Sequence, residues 1–555
     1  MSRSDEMSGS DEMSGSDEMS RSAEVSRSAE VSRSAEASRP DADLDLVEGD
    51  RVELIVGAPA HGGHCVARLG GEHGRVVFVR HTLPGERITA EITEMHKGYL
   101  RADAVEIHEP SPDRVEPPCP FAHPGGCGGC DLQHVAADAQ LRWKSQVVNE
   151  QLRRLAGLTD DSVRVVALPT ATSRTRPDND APTAATAASG TGPDDGGSGA
   201  PSAAPGTGPD DGGSGAPSAA SRTGPDGGGS GAPSAAPGPG LGEDAPGPVG
   251  GFGGAGPEAE AARLLGWRSR VRYAVDAAGR AGLLQHRSHQ VVAIDRCRIA
   301  HPAIQELDLL SREWPEADAI EAIASSGGDV AVVAHPAGRG APAGDDLVDG
   351  PTVGSREGNG EPILLQGPPD VQERAAGRRW SVPVESFWQV HPAAAETLTA
   401  TVVEMLRPQA GEVSWDLYGG AGLFAAALAT RTGARTILVE SSAAGVKAAR
   451  ANLSDLPVEV VEARVDVALR RRRITAPVDL VVLDPPRSGA GAPVVKAIAA
   501  AGPRAVVYVA CDPAALARDV ATFRSLGWEM TEIRAFDCFP MTQHIESVAL
   551  LTPTE

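Results

Sequence analysis

Aromatic residues and long apolar runs are scarce in this sequence of 555 residues. Phe, Trp and Tyr together make up 3% of the chain, and no run of about 18 apolar residues occurs, so we expect no membrane-spanning helix. The N-terminus lacks the short apolar stretch of a secretory signal peptide. The 7 cysteines are clustered rather than spaced as pairs, which argues against a secreted disulfide-bonded scaffold. We therefore expect a cytoplasmic protein with no membrane partner.

A surplus of basic residues, the usual property of a nucleic-acid-binding protein, is also missing. The formal net charge is −24. Much of it lies in two low-complexity segments: residues 1–50 carry 14 acidic side chains against 5 arginines, and residues 168–262 carry 11 against 3. The rest of the chain is therefore near −7, and the overall charge does not exclude RNA as a ligand.

Both low-complexity segments consist of repeats. Residues 1–44 repeat hexads such as MSRSDE and MSGSDE, and residues 168–262 repeat units such as TGPDDGGSGAPSAA at a spacing of 16 residues. Neither segment has enough apolar side chains to offset the entropy lost on ordering. We predict that residues 1–44 are a disordered tail and that residues 168–262 are a disordered insert.

The remaining residues predict three ordered units and a multidomain α/β fold class. Residues 45–108 alternate apolar and polar residues between Gly-Gly and Pro-Gly pairs, which predicts a small N-terminal β-barrel. Residues 109–167 and 263–380 predict a central α+β region. Residues 381–555 alternate buried strands with Ala-rich helices, which predicts a C-terminal, doubly wound, Rossmann-like domain.

Four cysteines form a candidate metal site. Cys127 and Cys130 make a C-x-x-C pair, Cys119 precedes that pair by eight residues, and Cys297 is the best candidate for a fourth ligand. Four thiolates suit either zinc or an iron–sulfur cluster. One C-x-x-C pair with two isolated cysteines favours a 4Fe-4S cluster, with zinc as the alternative. A redox-active pair and unligated buried cysteines are weaker alternatives.

The C-terminal unit contains motifs that indicate a cofactor site and a nucleophile. Gly419 and Gly420 lie in a tight turn after a strand, and Glu440 ends the next strand, where an acid can accept ribose hydroxyls. Asp484 opens an Asp-Pro-Pro turn that suits contact with a planar base edge. Cys511 follows a further strand, where it is either a nucleophile or a small buried residue.

As an ordered set, these motifs resemble the uracil-C5 RNA methyltransferases, the family that makes 5-methyluridine in bacterial 23S rRNA and in tRNA. The resemblance rests on LPGERITAEI, C-x7-C-G-G-C, FWQ, DLYGGAG, DPPR, CDP and HIES. It implies a TRAM-like, OB-like barrel and a class I methyltransferase domain with S-adenosylmethionine as methyl donor. It also implies a 4Fe-4S cluster held by the four cysteines of the candidate metal site.

The resemblance further implies catalytic and cofactor-binding roles. Cys511 falls on the catalytic nucleophile and Glu546 on the general base. A thiolate that adds to C6 of uracil makes C5 able to accept a methyl group, and a base must then remove the C5 proton. Leu423 stands where some members carry a cofactor-binding Asn, so we expect that contact to be absent. The cofactor-binding positions are Gln389, Tyr418, Glu440 and Asp484.

Basic residues of the central region predict RNA contacts. Arg268, Arg270 and Arg272 alternate in WRSRVRY, which would place them on one face of a strand, where they suit phosphate contacts. The four cysteines and the barrel favour 23S rRNA as the substrate, with tRNA as the alternative. No protein partner is indicated by the sequence.

Two other functional classes remain open. An NAD-dependent oxidoreductase with an iron–sulfur cluster would use the same Gly-rich turn, but it gives no role to Cys511 or to the Asp484 turn. A non-catalytic RNA-binding protein would not need both Cys511 and Glu546. The sequence therefore favours a methyltransferase over either class.

Overall fold

The computed structural model describes residues 46–160, 162–169, 263–337 and 361–554. The predicted disorder of residues 1–44 and 168–262 lies outside the described residues, apart from residues 168 and 169. Within the described ranges the chain forms a closed barrel, a six-stranded sheet, a two-stranded sheet and an eight-stranded sheet. No helix of these ranges is long and apolar enough to span a membrane.

The N-terminal unit is a closed five-stranded barrel with the strand order β1-β2-β3-β5-β4, which confirms the predicted barrel. Val52, Leu54 and Val56 point into its core, whereas the intervening Glu53 and Ile55 are exposed, as the two-residue period of a strand requires. Closure leaves no free strand edge. The strands are β1 (Arg51–Ala60), β2 (His64–Leu69), β3 (Arg75–Arg80), β4 (Arg87–Met95) and β5 (Tyr99–Glu109).

The central part of the chain begins with a long helix and contains an antiparallel sheet. Helix α1 ends at Gly157, whose backbone adopts φ 65° and whose N–H donates to the Leu152 carbonyl, as is common at helix ends. The elements are α1 (Ala137–Ala156), β6 (Val165–Ala167), β7 (Arg270–Val275), β8 (Ala281–Leu284), β9 (Val291–Val292), α2 (Pro302–Gln305), β10 (Ala317–Ala324), β11 (Val330–Pro336), β12 (Ile363–Gln366), β13 (Asp370–Ala375) and β14 (Arg378–Pro383).

The C-terminal part is a doubly wound α/β unit, as predicted. Its sheet has the order β17-β16-β15-β18-β19-β21-β20-β6. Strands β15 to β19 pair in parallel, and β21 runs antiparallel to both of its neighbours. The elements are α3 (Ala394–Leu406), β15 (Ser414–Leu417), α4 (Leu423–Thr432), β16 (Thr436–Glu440), α5 (Ala443–Asn452), β17 (Val458–Glu462), α6 (Val465–Arg470), β18 (Leu480–Leu483), α7 (Ala492–Ala501), β19 (Ala505–Ala510), α8 (Pro513–Ser525), β20 (Trp528–Asp537) and β21 (Glu546–Pro553).

Strand β6 is part of the C-terminal sheet, and helix α1 packs against the same unit, so neither element groups with the central region. β6 pairs in parallel with β20 at the edge of the eight-stranded sheet. The buried face of α1, which includes Trp143 and Val147, packs into the same core as Trp415 and Tyr508. We predicted that residues 109–167 group with residues 263–380. Helix α1 and strand β6 differ from this grouping, because β6 pairs with the otherwise unpaired side of β20.

A buried ion pair fixes α1 to the C-terminal sheet. The Lys144 ammonium donates to the Asp537 carboxylate at 2.6 Å and to the Phe539 carbonyl at 3.1 Å. The side chains of the pair are 0% and 2% exposed. Two charges removed from water in this way stabilise the fold only while both are present, because either one alone would be buried without compensation.

We predict that Lys144→Met lowers the free energy of unfolding by about 3–5 kcal/mol, because it leaves the buried Asp537 carboxylate without its cation. The double variant Lys144→Met/Asp537→Leu should recover most of this loss. Urea unfolding followed by circular dichroism measures both. The matched control is Arg435→Ala, which breaks an exposed ion pair with Glu459 and should cost less than about 1 kcal/mol. Equal effects of the two single substitutions would contradict the prediction.

Candidate active site

Most of the predicted site residues lie where the parallel strands of the eight-stranded sheet reach their carboxyl ends, a side of the sheet called here the sheet edge. Leu417, the last residue of β15, pairs with Val439 of β16 and Leu483 of β18. The residues at the carboxyl ends of these parallel strands therefore lie in one row, which is where ligands bind in sheets of this kind. The predicted residues of this row are Tyr418, Glu440, Asp484 and Cys511.

The antiparallel strand β21 brings Glu546 to the same edge. Ala510, the last residue of β19, pairs with Ser547, so Cys511 and Glu546 flank the last pair of the ladder, and the charge of Glu546 acts on the Cys511 thiol. Glu546 is 3% exposed, and Cys511 is half-buried. The strand pairing thus brings a thiol near a carboxyl group, although the two residues are 35 positions apart in the sequence.

The groups at this edge influence one another electrostatically. Burial raises the pKa of the Cys511 thiol, the negative charges of Glu546 and Asp484 raise it further, and the Arg487 guanidinium opposes them. Burial also raises the pKa of Glu546, and the neighbouring Asp484 adds to this effect. A carboxyl group with a raised pKa is suited to taking up and releasing a proton.

Cys511 lines a cavity of about 320 Å³ between the barrel and the sheet edge. Arg101 of β5, Arg287 of the turn between β8 and β9, and Arg487 also line it. The barrel also contacts the residue next to Cys511, because His61 Nε2 lies 2.9 Å from the Asp512 carboxylate. The cavity therefore combines a thiol with positively charged side chains.

The Gly-rich turn after β15 helps to hold the Glu440 carboxylate at the sheet edge. Tyr418 and Gly420 have left-handed backbones, with φ 65° and φ 51°. Glu440 accepts N–H groups from Gly420 at 2.9 Å and from Ser441 and Ser442 at 2.6 Å each. A carboxylate offers about four lone-pair sites, so Glu440 is held rigidly and keeps one site for a hydroxyl of a ligand.

Asp416 is a site residue that the sequence analysis missed. Its Oδ2 accepts the Ala425 N–H at 2.8 Å, whereas its buried Oδ1 has no hydrogen-bond partner among the described residues. Burial raises the pKa of Asp416 to about 7, and the nearby Asp484 and Glu440 contribute. An unpaired buried acceptor below a ligand-binding turn suits a donor on the ligand. The sequence feature that could have indicated this residue is a single acidic side chain within the otherwise apolar strand segment VSWDLY.

Gln389 lies outside the strand row. It is half-buried in the segment between β14 and α3. Its neighbour Trp388 packs into the same core as Leu423 and Phe424, which open α4 directly after the turn. Gln389 therefore directly follows a residue that shares a hydrophobic core with the start of α4.

The four cysteines of the candidate metal site converge from two separate segments. The pKa of Cys127 is raised by burial and by the charges of Cys297 and Cys119, and that of Cys130 is raised by burial and by Cys127 and Cys297. Gly128 permits a close approach, because a Cβ there would lie 2.5 Å from the His286 nitrogen. Across the described ranges, however, no group of three or more His, Cys, Asp or Glu side chains is arranged to hold a metal ion. The geometry thus does not support the iron–sulfur prediction.

Only two of the three arginines expected on one strand face lie within a strand, where Arg270 and Arg272 share a face of β7. β7 begins at Arg270, so Arg268 precedes the strand. Arg270 is buried and donates to the carbonyls of Val384 at 3.3 Å and Ser386 at 2.7 Å, whereas Arg272 is exposed. This corrects the expected row of three exposed arginines, because Arg268 lies outside the strand and the start of β7 is covered. Arg270 supports the segment before Gln389 instead of facing solvent.

Comparison with known proteins agrees with this architecture. A TRAM domain model matches residues 46–105, and the model described as tRNA (Uracil-5-)-methyltransferase matches residues 370–554. The crystal structure of Pyrococcus abyssi tRNA (uracil-54, C5)-methyltransferase in complex with S-adenosyl-L-homocysteine has a similar fold, with a TM-score of 0.54 and 19% identity, over 90% of this chain and 99% of that one.

Relatives of known sequence extend over nearly the whole chain. An uncharacterized RNA methyltransferase of Streptomyces avermitilis is 40% identical over 512 residues, which cover 91% of this chain and 99% of the relative. An uncharacterized RNA methyltransferase of Corynebacterium efficiens is 31% identical over 526 residues, which cover 92% and 97%. The chain therefore belongs to the family of RNA methyltransferases that join a TRAM domain to a tRNA (uracil-5-)-methyltransferase domain.

Proposed function

We propose that the protein transfers a methyl group from S-adenosylmethionine to C5 of a uridine in RNA, through a covalent bond between Cys511 and C6. The observation that carries this proposal is the pairing of Ala510 with Ser547, which sets a thiol beside a carboxyl group next to a cavity. An NAD-dependent oxidoreductase has no use for this pair, and the family membership agrees with methyl transfer.

The chemistry follows from the two side chains. The Cys511 thiolate adds to C6, and the electron pair of the C5–C6 bond moves onto C5 and the O4 enolate. The cofactor supplies the methyl group that C5 accepts. Glu546 then takes the C5 proton, the C5–C6 double bond forms again, and the thiolate leaves C6. The Arg487 guanidinium favours the thiolate, because its charge opposes the rise in the pKa of Cys511.

The cofactor would lie along the row from Tyr418 to Asp484. The remaining lone-pair site of Glu440 suits a ribose hydroxyl, and the unpaired Oδ1 of Asp416 suits an ammonium group. Gln389 and Tyr418 complete this side of the site. Asp484 lies between the proposed cofactor side and the proposed nucleophile, because its charge raises the pKa of Asp416 as well as that of Cys511.

We propose 23S rRNA as the substrate, supported by the resemblance of the four cysteines and the barrel to the 23S-type enzymes. tRNA is the second candidate. It is favoured by the similarity of nearly the whole fold to an enzyme described as a tRNA (uracil-54, C5)-methyltransferase. The target base must leave its stack to reach Cys511 in either RNA.

We also propose that Cys119, Cys127, Cys130 and Cys297 hold a 4Fe-4S cluster, with zinc as the alternative. The support is proximity: the charges of Cys119 and Cys297 act on the Cys127 thiol, those of Cys127 and Cys297 act on the Cys130 thiol, and four thiolates are the ligand set of such a cluster. A four-iron cluster is larger than a single ion, so its ligands lie further apart than the ligands of one metal ion. A structural role in the central region fits this position.

We predict that Cys511→Ala abolishes methyl transfer and that Glu546→Gln accumulates a covalent RNA–protein adduct, because the adduct cannot lose its C5 proton. Turnover of Glu546→Gln should fall by about 10²–10⁴-fold. The assay supplies total RNA from a strain lacking the gene and labelled S-adenosylmethionine, then fractionates the RNA and digests it to nucleosides. Label in 5-methyluridine from 23S rRNA or from tRNA decides between the two substrates.

The control for these variants is Cys538→Ala. Cys538 is a fully buried cysteine near Glu546 but lies outside the cavity lined by Cys511, so its loss should leave the chemistry intact. Wild-type protein that labels no RNA would refute the proposed function. Normal turnover by Cys511→Ala would refute the covalent mechanism alone.

We predict that alkylation of Cys511 by iodoacetamide accelerates about tenfold per pH unit, with no plateau up to pH 9. The thiolate is the reactive form, and a thiol whose pKa is raised above the usual value of about 8.5 gains thiolate over this whole range. Glu546→Gln should react faster at the pH values at which Glu546 is ionised, because the substitution there removes a negative neighbour that raises the pKa of Cys511. Mass spectrometry of the Cys511 peptide follows the rate, and a plateau below pH 8 contradicts the prediction.

We predict about four iron atoms and matching sulfide per chain after purification without oxygen, and a loss of iron in Cys297→Ser. Elemental analysis measures both. The control is Cys65→Ser, since Cys65 is buried in the barrel core away from the candidate metal site. One zinc atom per chain would support zinc as the metal bound by the same four cysteines. Protein free of both metals would refute a metal site.

A further inference from the structure

We propose that a groove between the barrel and α1 binds the RNA strand that continues from the target nucleotide. This inference rests on the proposed function and adds a second contact surface to it. The groove, called here the α1 groove, has a volume of about 1730 Å³ and lies between strands β1 to β3 and one face of α1.

The charge of the α1 groove suits a polyanion. Six arginines and three glutamates line it, a surplus of positive charge in a chain whose formal net charge is −24. Phosphate contacts from arginine provide much of the affinity of proteins for nucleic acids. The six arginines are Arg68, Arg87, Arg142, Arg153, Arg154 and Arg164.

Helix α1 presents its polar face to the groove. The lining residues recur in adjacent pairs every four positions, from Leu141 and Arg142 to Arg153 and Arg154, which is the spacing of one helix face. The side chains of Arg142 and Arg153 are 57% and 55% exposed. Their ion pairs with Asp113 and Glu150 are therefore weak, and phosphates can replace the carboxylates at little cost.

The barrel side of the α1 groove adds apolar surface. Ile55 projects from β1 and is 71% exposed, and Phe78 of β3 is half-buried. Apolar and aromatic side chains in a positively charged groove contact the faces of unstacked bases. A paired helix hides those faces, so the geometry favours a single strand over a duplex.

The α1 groove lies next to the catalytic cavity. His61 and Phe78 line both spaces, and His61 lies 2.9 Å from the Asp512 carboxylate, next to Cys511. A strand whose target base enters the cavity can therefore leave it past His61 and enter the groove. This proximity selects RNA over an acidic polypeptide as the occupant, since the nucleotide at Cys511 carries its own neighbours.

The test compares full-length protein with the variant Arg142→Ala/Arg153→Ala/Arg154→Ala. The RNA fragment that the wild-type protein methylates is trimmed stepwise from the 5′ side and, separately, from the 3′ side. We expect the variant to raise KM for the long fragment on the order of tenfold with kcat unchanged. The salt slope of binding should fall by about 2, because each phosphate that an arginine no longer neutralises lowers the slope by about 0.7. Trimming on one side should abolish the difference.

Two further variants keep the outcome unambiguous. Gln146→Glu places a negative charge on the same exposed helix face without removing any ion pair, and it should weaken binding in the same direction. Arg280→Ala/Arg435→Ala/Arg534→Ala removes the same number of charges from surface ion pairs elsewhere and should change neither KM nor the salt slope.

Binding is measured without cofactor as well as by turnover, so that the two proposals fail separately. Wild-type protein that binds RNA but makes no 5-methyluridine refutes the proposed function. An unchanged KM and salt slope in both groove variants, with normal methylation by the wild type, overturns the α1 groove as an RNA site. Equal losses in the groove variant and the control triple variant overturn it too, because they indicate a general charge effect.

Discussion

The antiparallel placement of β21 between β19 and β20 is the constraint on which the active site depends. In a wholly parallel sheet every strand would present its carboxyl end at the ligand-binding edge. Because β21 runs the other way, its first residue reaches that edge, and the pairing of Ala510 with Ser547 sets Glu546 beside Cys511. Rigid ladder hydrogen bonds, rather than a flexible loop, therefore fix the distance between a thiol and a carboxyl group.

The loop that leads into β21 is held from the central part of the chain. Met541, with φ 68°, accepts N–H groups from Asp131 at 3.1 Å and Leu132 at 2.9 Å, and its own N–H donates to the Gln140 side chain at 2.9 Å. Asp131 follows Cys130 directly. Two backbone hydrogen bonds thus join the cysteine segment to the loop that precedes Glu546. The candidate metal site therefore helps to hold that loop in place.

Local patterns in the sequence predicted the barrel, the parallel strands and the Gly-rich turn, because strand periodicity and turn chemistry involve neighbours in the chain. The hydrogen bond of Gln140 to Met541, 401 positions away, has no local pattern, and neither does the contact of His61 with Asp512. Alternation in WRSRVRY indicated which side chains share a face but not that Arg270 would be covered. Asp416 was missed because one acid within an apolar strand has no distinctive spacing.

The reaction edge concentrates carboxyl groups that disfavour one another's charge. Burial raises the pKa of Asp416, Asp484 and Glu546, so a positive ligand near them gains more from this edge than a neutral one. In the proposed reaction the methyl donor is a sulfonium cation and the thioether that remains is neutral at sulfur. Under the proposed mechanism, these carboxyl groups would therefore attract the cationic donor more strongly than its neutral product.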